Sequence, residues 1–260
     1  MFRYVHRMRV VIITFCRKLE ALYGSLLVFQ TLRVGFPTAE VFVYDNASIP
    51  ASRAQIREAA ASVGAKFQQG ERSVEHWELL SDIINKTEDA VAFVDPDVVF
   101  WRSVEGWNFP GALLAGRRLP DFQDPYTQTL TVSRLHTSLL FVPSPVALRS
   151  RINQIGDARG GEFAAIAPMQ LPTAAGWLRW DTFAAASFAL ADEAHAFSEE
   201  QLDAYDHLFC GSHLDLVVDR ISPEWRHRWI DTHANAKDGS LEPLRGLWRE
   251  QQKYFESLSP

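Results

Sequence analysis

Two cysteines in 260 residues, Cys16 and Cys210, lie far apart and make no zinc-binding or redox spacing. Both are expected to be reduced, buried thiols. Positive charge is also short: 26 Lys and Arg face 32 Asp and Glu, a formal net charge of -6. That excludes a general binder of nucleic-acid backbones, which presents a basic face, but leaves room for a small anionic ligand held by a few local donors. Long apolar runs are missing as well. The start, "MFRYVHRMRVVIITFC", holds a run too short for a membrane span and without a signal-peptide cleavage pattern. It reads as a buried strand, with a cytoplasmic protein as the expectation and peripheral contact with a membrane surface compatible with it. No internal repeat, low-complexity tract or linker interrupts the chain, so residues 1–260 are expected to form one domain.

What is present is alternation. "RVVIITF" is a continuous β-rich run, as expected of a strand buried on both faces. Leu19, Leu22, Tyr23, Leu26 and Leu27 then recur at helical spacing. "AEVFVYD" predicts a second strand ending at Asp45, and Pro50 can open a helix that stops near Gly64. "AKFQQ" is a third strand candidate, Trp77 to Ile84 a further helix, and "AVAFV" a fourth strand. Alternating strands and helices predict a mainly parallel α/β sheet, in which ligands gather at the carboxyl ends of the strands. Asp45 and Asp95 both fall at such ends. Beyond residue 101 the pattern loosens. "ALLAGRR" and "LHTSLLFVP" predict strands, separated by a polar loop with Asp121, Asp124 and Tyr126. A helix is expected from about Asp181, a short strand in "AYDHLFCGSHLD", and helical packing for the tail with Trp225, Trp229 and Trp248.

The stretch "AVAFVDPDVVFW" places Asp95 and Asp97 at the edge of an apolar run. Residues two apart in extended chain point to one side, so the two carboxylates can converge if the backbone stays extended through Pro96. Like charges so close need a cation or strong donors, and a hard divalent ion accepts carboxylates while leaving positions for phosphates. The competing reading is a turn with Asp first and Pro second. The position after the fourth strand of an alternating sheet favours the metal.

These residues resemble the GT-A glycosyltransferases, in which an apolar strand ends in an Asp-x-Asp motif. "FVDPDVVFW" matches that motif, "VVIITF" is similar to the family's first strand and "VFVYDNAS" to its second. The resemblance covers residues 9–101 well and the remainder loosely. It implies a Rossmann-like, mixed but mainly parallel sheet flanked by helices, with 1–101 as the nucleotide-binding half and 102–260 as the acceptor half. It implies Mn²⁺ or Mg²⁺ held by Asp95 and Asp97 on the diphosphate of a nucleotide-sugar donor, a UDP-sugar by preference. Thr14, Phe15, Arg17 and Asp45 would then line the nucleotide, and a glycan or lipid-linked hydroxyl would be the acceptor. A late histidine often completes such a metal site. "HLFCG" offers His207, and "GSHLD" offers His213 as its rival.

The remaining polar residues carry paired readings. Asp181 in "WLRWDTF" is either a base for the acceptor hydroxyl or a helix N-cap. His136, Thr137 and Ser138 in "RLHTSLL" either reach the donor sugar or form one exposed strand face. Arg117 and Arg118 read as surface arginines before phosphate ligands, and Trp101 and Trp180 as core aromatics before sugar platforms. Two other functions compete. "DPDVV" also fits a haloacid dehalogenase-like phosphatase with Asp95 as nucleophile and Asp97 as acid, although that motif normally opens its fold. A module that binds nucleotide sugar without turnover is the second.

Overall fold

The computed structural model describes residues 8–17, 22–123, 129–158, 166–174 and 176–207, together with 228, 242–243, 245–247, 249–250 and 253. The first half follows the expected alternation. The elements are β1 (Arg9–Thr14), α1 (Leu22–Gly35), β2 (Glu40–Asp45), α2 (Pro50–Ser62), β3 (Lys66–Gln69), α3 (His76–Lys86), β4 (Val91–Val94) and β5 (Val98–Phe100). There follow β6 (Leu114–Leu119), β7 (Phe122–Gln123), β8 (Thr129–Thr131), β9 (Arg134–Val142) and α4 (Pro145–Ala158). The later elements are β10 (Met169–Thr173), β11 (Gly176–Trp180), α5 (Ala184–Ala189), β12 (Ala194–Ala196), α6 (Glu199–Leu202) and β13 (Tyr205–His207).

Seven strands form the central sheet in the order β12-β6-β9-β4-β1-β2-β3. All run parallel except β9, which is antiparallel to both β4 and β6. Alternate residues of β1 feed opposite faces, as strand geometry requires. Val10 and Ile12 pack with Val28, Leu32 and Phe36 of the α1 region and Ile56 of α2. Val11 and Ile13 pack with Leu80, Ile83 and Ile84 of α3 and Leu148 of α4. A strand buried on both sides must be apolar at every position, which is why "RVVIITF" is continuous. The sheet is therefore the mixed, mainly parallel, helix-flanked architecture that the sequence implies.

β1 is followed by β2 on one side, whereas β4 lies on its other side. The crevice at the carboxyl ends of β1 and β4 is thus a topological switch point, where parallel sheets of this kind bind ligands. A four-stranded sheet, β10-β11-β8-β7, and the ribbon β13-β5 complete the second half.

Two expectations change. The helix expected from about Asp181 starts at Ala184: Ala184 N–H donates to Asp181 C=O at 2.9 Å in a separate turn, and Phe183 in that turn stands at φ 63°, in the left-handed region outside a right-handed helix. The chain is also not extended through Pro96. Val98 N–H donates to Asp95 C=O at 3.2 Å, so Asp95-Pro96-Asp97-Val98 is a turn with proline at its second position, where its fixed φ suits it. Among the described residues no helix is long and apolar enough to cross a membrane. The tail around Trp225, Trp229 and Trp248, and also Cys210, Asp124 and Tyr126, lie outside the described residues.

Candidate metal centre

The Asp95–Val98 turn is pinned from both sides. Asp95 N–H donates to Ser138 C=O of β9 at 2.8 Å, and Val28 N–H of α1 donates to Pro96 C=O at 2.9 Å. The turn leads into β5, which pairs antiparallel with β13 and sets His207 opposite Val98. As a result His207 Nε2 lies 3.1 Å from Asp97 Oδ1 and 3.7 Å from Asp95 Oδ2. The three ligand atoms lie within 4.8 Å of one another. Asp97 is buried, whereas the Asp95 side chain keeps 23% exposure, so the cluster opens to solvent past Asp95.

Burial, opposed by His207 and reinforced by the Asp97 charge, pushes the Asp95 carboxyl up to about 6. For His207, burial alone would lower the imidazole, but the Asp97 and Asp95 carboxylates outweigh it and its pKa rises. Both shifts favour the protonated forms, as expected where two carboxylates and an imidazole crowd together. Two oxygens and one nitrogen suit Mn²⁺ or Mg²⁺, and the imidazole fits Mn²⁺ better, since magnesium prefers oxygen. The donor set therefore fits the ion that the sequence implies. It also gives no support to the phosphatase reading. The motif follows the fourth strand in chain order, and its third partner among the described residues is a histidine.

The other expected residues fall into three places. His136 stands beside the cluster, its ring centroid 5.0 Å from that of His207. Burial first, then the His207, Arg134 and Arg117 charges, hold it well below the usual histidine range. Its Nδ1 accepts from Ser138 N–H at 3.2 Å, so the neutral ring carries its proton on Nε2. Ser138 is fully buried on β9. At the ends of β1 and β2, Thr14 Oγ1 lies 3.4 Å from Asp45 Oδ1, and the Arg17 guanidinium covers the Phe15 ring at 4.7 Å. Asp45 itself is buried and paired. Arg53 Nε donates to Oδ2 at 2.9 Å, and Ser48 N–H donates to Oδ1 at 3.3 Å. Asp181 stands apart from these, just before α5, with Arg134 at 2.8 Å and Arg179 at 3.6 Å. Thus Asp95, Asp97, His207 and His136 come together, and Thr14 and Asp45 form a second group. His213 lies outside the described residues.

Arg117 and Tyr205 lie close to these groups, the first read from the sequence as a surface arginine. Arg117 is half-buried, and its charge is felt at His136, His207 and Tyr205. The strand pairing of β6 with β9 slips between Gly116 and Arg118, which breaks the alternation by which its direction could have been read. Tyr205, two residues before His207 on β13, is buried beneath Phe100 and Phe197. Strand alternation two residues before a candidate ligand was the available signal. Trp101 proves to be occupied: its Nε1–H donates to Asp206 and Arg245 covers its ring. Trp180 meets Phe188 edge-on at 5.5 Å.

No family model matches this chain, and no curated protein matches it. Solved glycosyltransferase structures are similar to it. The mannosyltransferase PcManGT of Pyrobaculum calidifontis, in complex with GDP-Man and Mn²⁺, shares 12% identity at a TM-score of 0.48, over 96% of this chain and 70% of that one. The glycosyltransferase GlyE of Streptococcus pneumoniae, in its apo form, shares 10% at 0.43, over 84% and 52%. The galactosyltransferase LgtC, in complex with donor and acceptor sugar analogues, shares 13% at 0.41, over 73% of each chain. These likenesses are loose, and the functional reading below stands on this chain's own residues.

Proposed function

We propose that the protein is a metal-dependent glycosyltransferase of GT-A type that moves a sugar from a nucleotide-sugar donor to an acceptor hydroxyl. One observation carries the reading: Asp95, Asp97 and His207 converge beside the switch point of a mainly parallel sheet. Asp95, Asp97 and His207 would hold Mn²⁺ or Mg²⁺. When bound, the ion supplies Lewis-acid stabilisation of the charge that develops on a departing nucleoside diphosphate.

The chain's own groups then divide the work. Thr14, Phe15, Arg17 and Asp45, at and just beyond the ends of β1 and β2, form the nucleotide side. Asp45 contributes by holding the Asn46–Ser48 loop, since its oxygens are already engaged. His136 offers an Nε2–H to the donor, and Ser138 fixes that tautomer through its backbone. Arg117 adds positive charge on the same side. Asp181 is the base candidate for the acceptor, with Arg134 and Arg179 orienting its carboxylate. We take the donor to be a UDP-sugar and the acceptor to be a glycan or lipid-linked hydroxyl. We read the four-stranded sheet as the acceptor side; it exposes Phe122 and Trp177 on one face and Leu130 and Leu171 on the other.

Calorimetry of UDP with and without Mn²⁺ tests the reading. Metal-dependent binding that disappears in Asp97→Asn supports it, and UDP binding indifferent to both overturns it.

A further inference from the structure

β5 and β13 form a ribbon whose two faces do different things. Paired residues share a face, so His207 projects with Val98 and Phe100, whereas Asp206 projects with Val99 from the opposite face. On that reverse face Trp101 Nε1–H donates to Asp206 Oδ2 at 2.7 Å. Arg245 Nε stands 3.2 Å from the same oxygen, and its guanidinium lies 4.4 Å from the centroid of the Trp101 indole. Side-chain exposure is only 20% for both Asp206 and Arg245. A carboxylate, an indole and a guanidinium thus close on one another behind the candidate metal centre, and Arg245 comes from a distant helical stretch.

The reason for such a clamp lies in the weakness of what it holds. β13 has three residues, and ahead of it the backbone tie continues through Trp101 N–H and Arg102 N–H, which donate to Ala204 C=O at 2.8 and 3.3 Å. A ligand on a two-stranded ribbon outside the central sheet needs more than backbone pairing, because metal ligands must be held to a fraction of an ångström. Groups that touch the ligand-bearing element without touching the ion supply that rigidity. Trp101 continues from the strand that Asp97 enters, and Asp206 immediately precedes His207. Tying one to the other therefore fixes His207 relative to Asp97.

We infer that Trp101, Asp206 and Arg245 form a positioning clamp that sets the His207 imidazole against the Asp95–Val98 turn, and so makes divalent-cation affinity depend on the C-terminal stretch carrying Arg245. The inference rests on the metal reading above. None of the three residues is a catalytic residue; each acts through the ribbon.

Mn²⁺ binding to the full chain without nucleotide, followed by electron paramagnetic resonance, tests it. The variants are Trp101→Phe, which removes only the indole N–H, together with Arg245→Ala and Arg245→Lys. Weakening by about 10-fold is expected in Trp101→Phe and Arg245→Ala, with Arg245→Lys in between because it keeps the charge over the ring. Urea unfolding of the same variants separates positioning from stability. Folded variants with wild-type Mn²⁺ affinity overturn the clamp while leaving the metal reading intact. A wild-type protein that binds no Mn²⁺ overturns the metal reading, and the clamp with it.

Discussion

His207 Nε2 lies 3.1 Å from Asp97 Oδ1, although one residue ends β13 and the other precedes β5. Neither position is placed by local structure alone. The antiparallel pairing of β5 with β13 brings them together, and the resulting contact makes the site sensitive to pH.

Cation binding needs Asp95 ionised and His207 neutral. Asp95 titrates at about 6 and His207 above its ordinary 6.5. Mn²⁺ affinity is therefore expected to rise with pH through about 6 and on beyond 6.5, with protons released on binding. Calorimetry in buffers of different ionisation enthalpy measures both. Affinity that is flat across this window contradicts the assignment of ligands.

The same groups set the stability of the metal-free protein. The folded Asp95 carboxyl holds its proton more tightly than the usual 3.8, so this group loses stability for the fold as pH rises from about 4 through about 6. The His207 pKa is raised in the fold, so its contribution is full below about 6.5 and fades as pH climbs through the higher folded value. Both slopes have one sign. The effect of this cluster is read as the difference in urea midpoints between wild type and Asp95→Asn, and that difference should shift against wild type as pH rises. Saturating Mn²⁺ should reverse it.

Asp45 is buried and its charge is met by Arg53. Arg53→Ala leaves that carboxylate without its cation and is expected to cost about 3 kcal/mol. Asp45→Asn combined with Arg53→Ala should recover part of the loss. Denaturant unfolding of the two single variants and the double variant measures the coupling, and simple additivity would contradict the ion pair as drawn.

Gly35 closes α1 against Phe100 of β5. A Cβ there would sit 2.7 Å from Phe100 Cδ1 and Cδ2, and the Gly35 carbonyl accepts from Val104 N–H at 2.9 Å. Gly35→Ala is expected to destabilise the protein by about 2 kcal/mol through forced repacking of the ring. Because Phe100 belongs to the ribbon, Mn²⁺ affinity should fall as well. A urea midpoint equal to wild type would show that the ring gives way freely.

The parallel half was legible because burial on both faces leaves unbroken apolar runs such as "RVVIITF" and "AVAFV", with turn residues between them. The Asp-Pro-Asp segment does not take the extended path. The chain makes the turn that its composition also allowed, and the carboxylates converge because α1 and β9 pin that turn. Asp45 was legible as a strand end, but its partner Arg53 lies a turn into α2, where no local pattern marks it. Arg117 was hidden by a slip in strand register, and the clamp at Trp101 by contacts with residues more than a hundred positions away. Long-range pairing, rather than local propensity, decided the clamp and the approach of His207 to Asp97.

The central claim is metal-dependent sugar transfer, and release of nucleoside diphosphate from a panel of nucleotide sugars, with and without Mn²⁺, tests it most directly. The account predicts release from a UDP-sugar that requires Mn²⁺, increases when an acceptor glycan is supplied, and disappears in Asp97→Asn. Binding of nucleotide sugars without release from any of them, or release equal in wild type and Asp97→Asn, would contradict it.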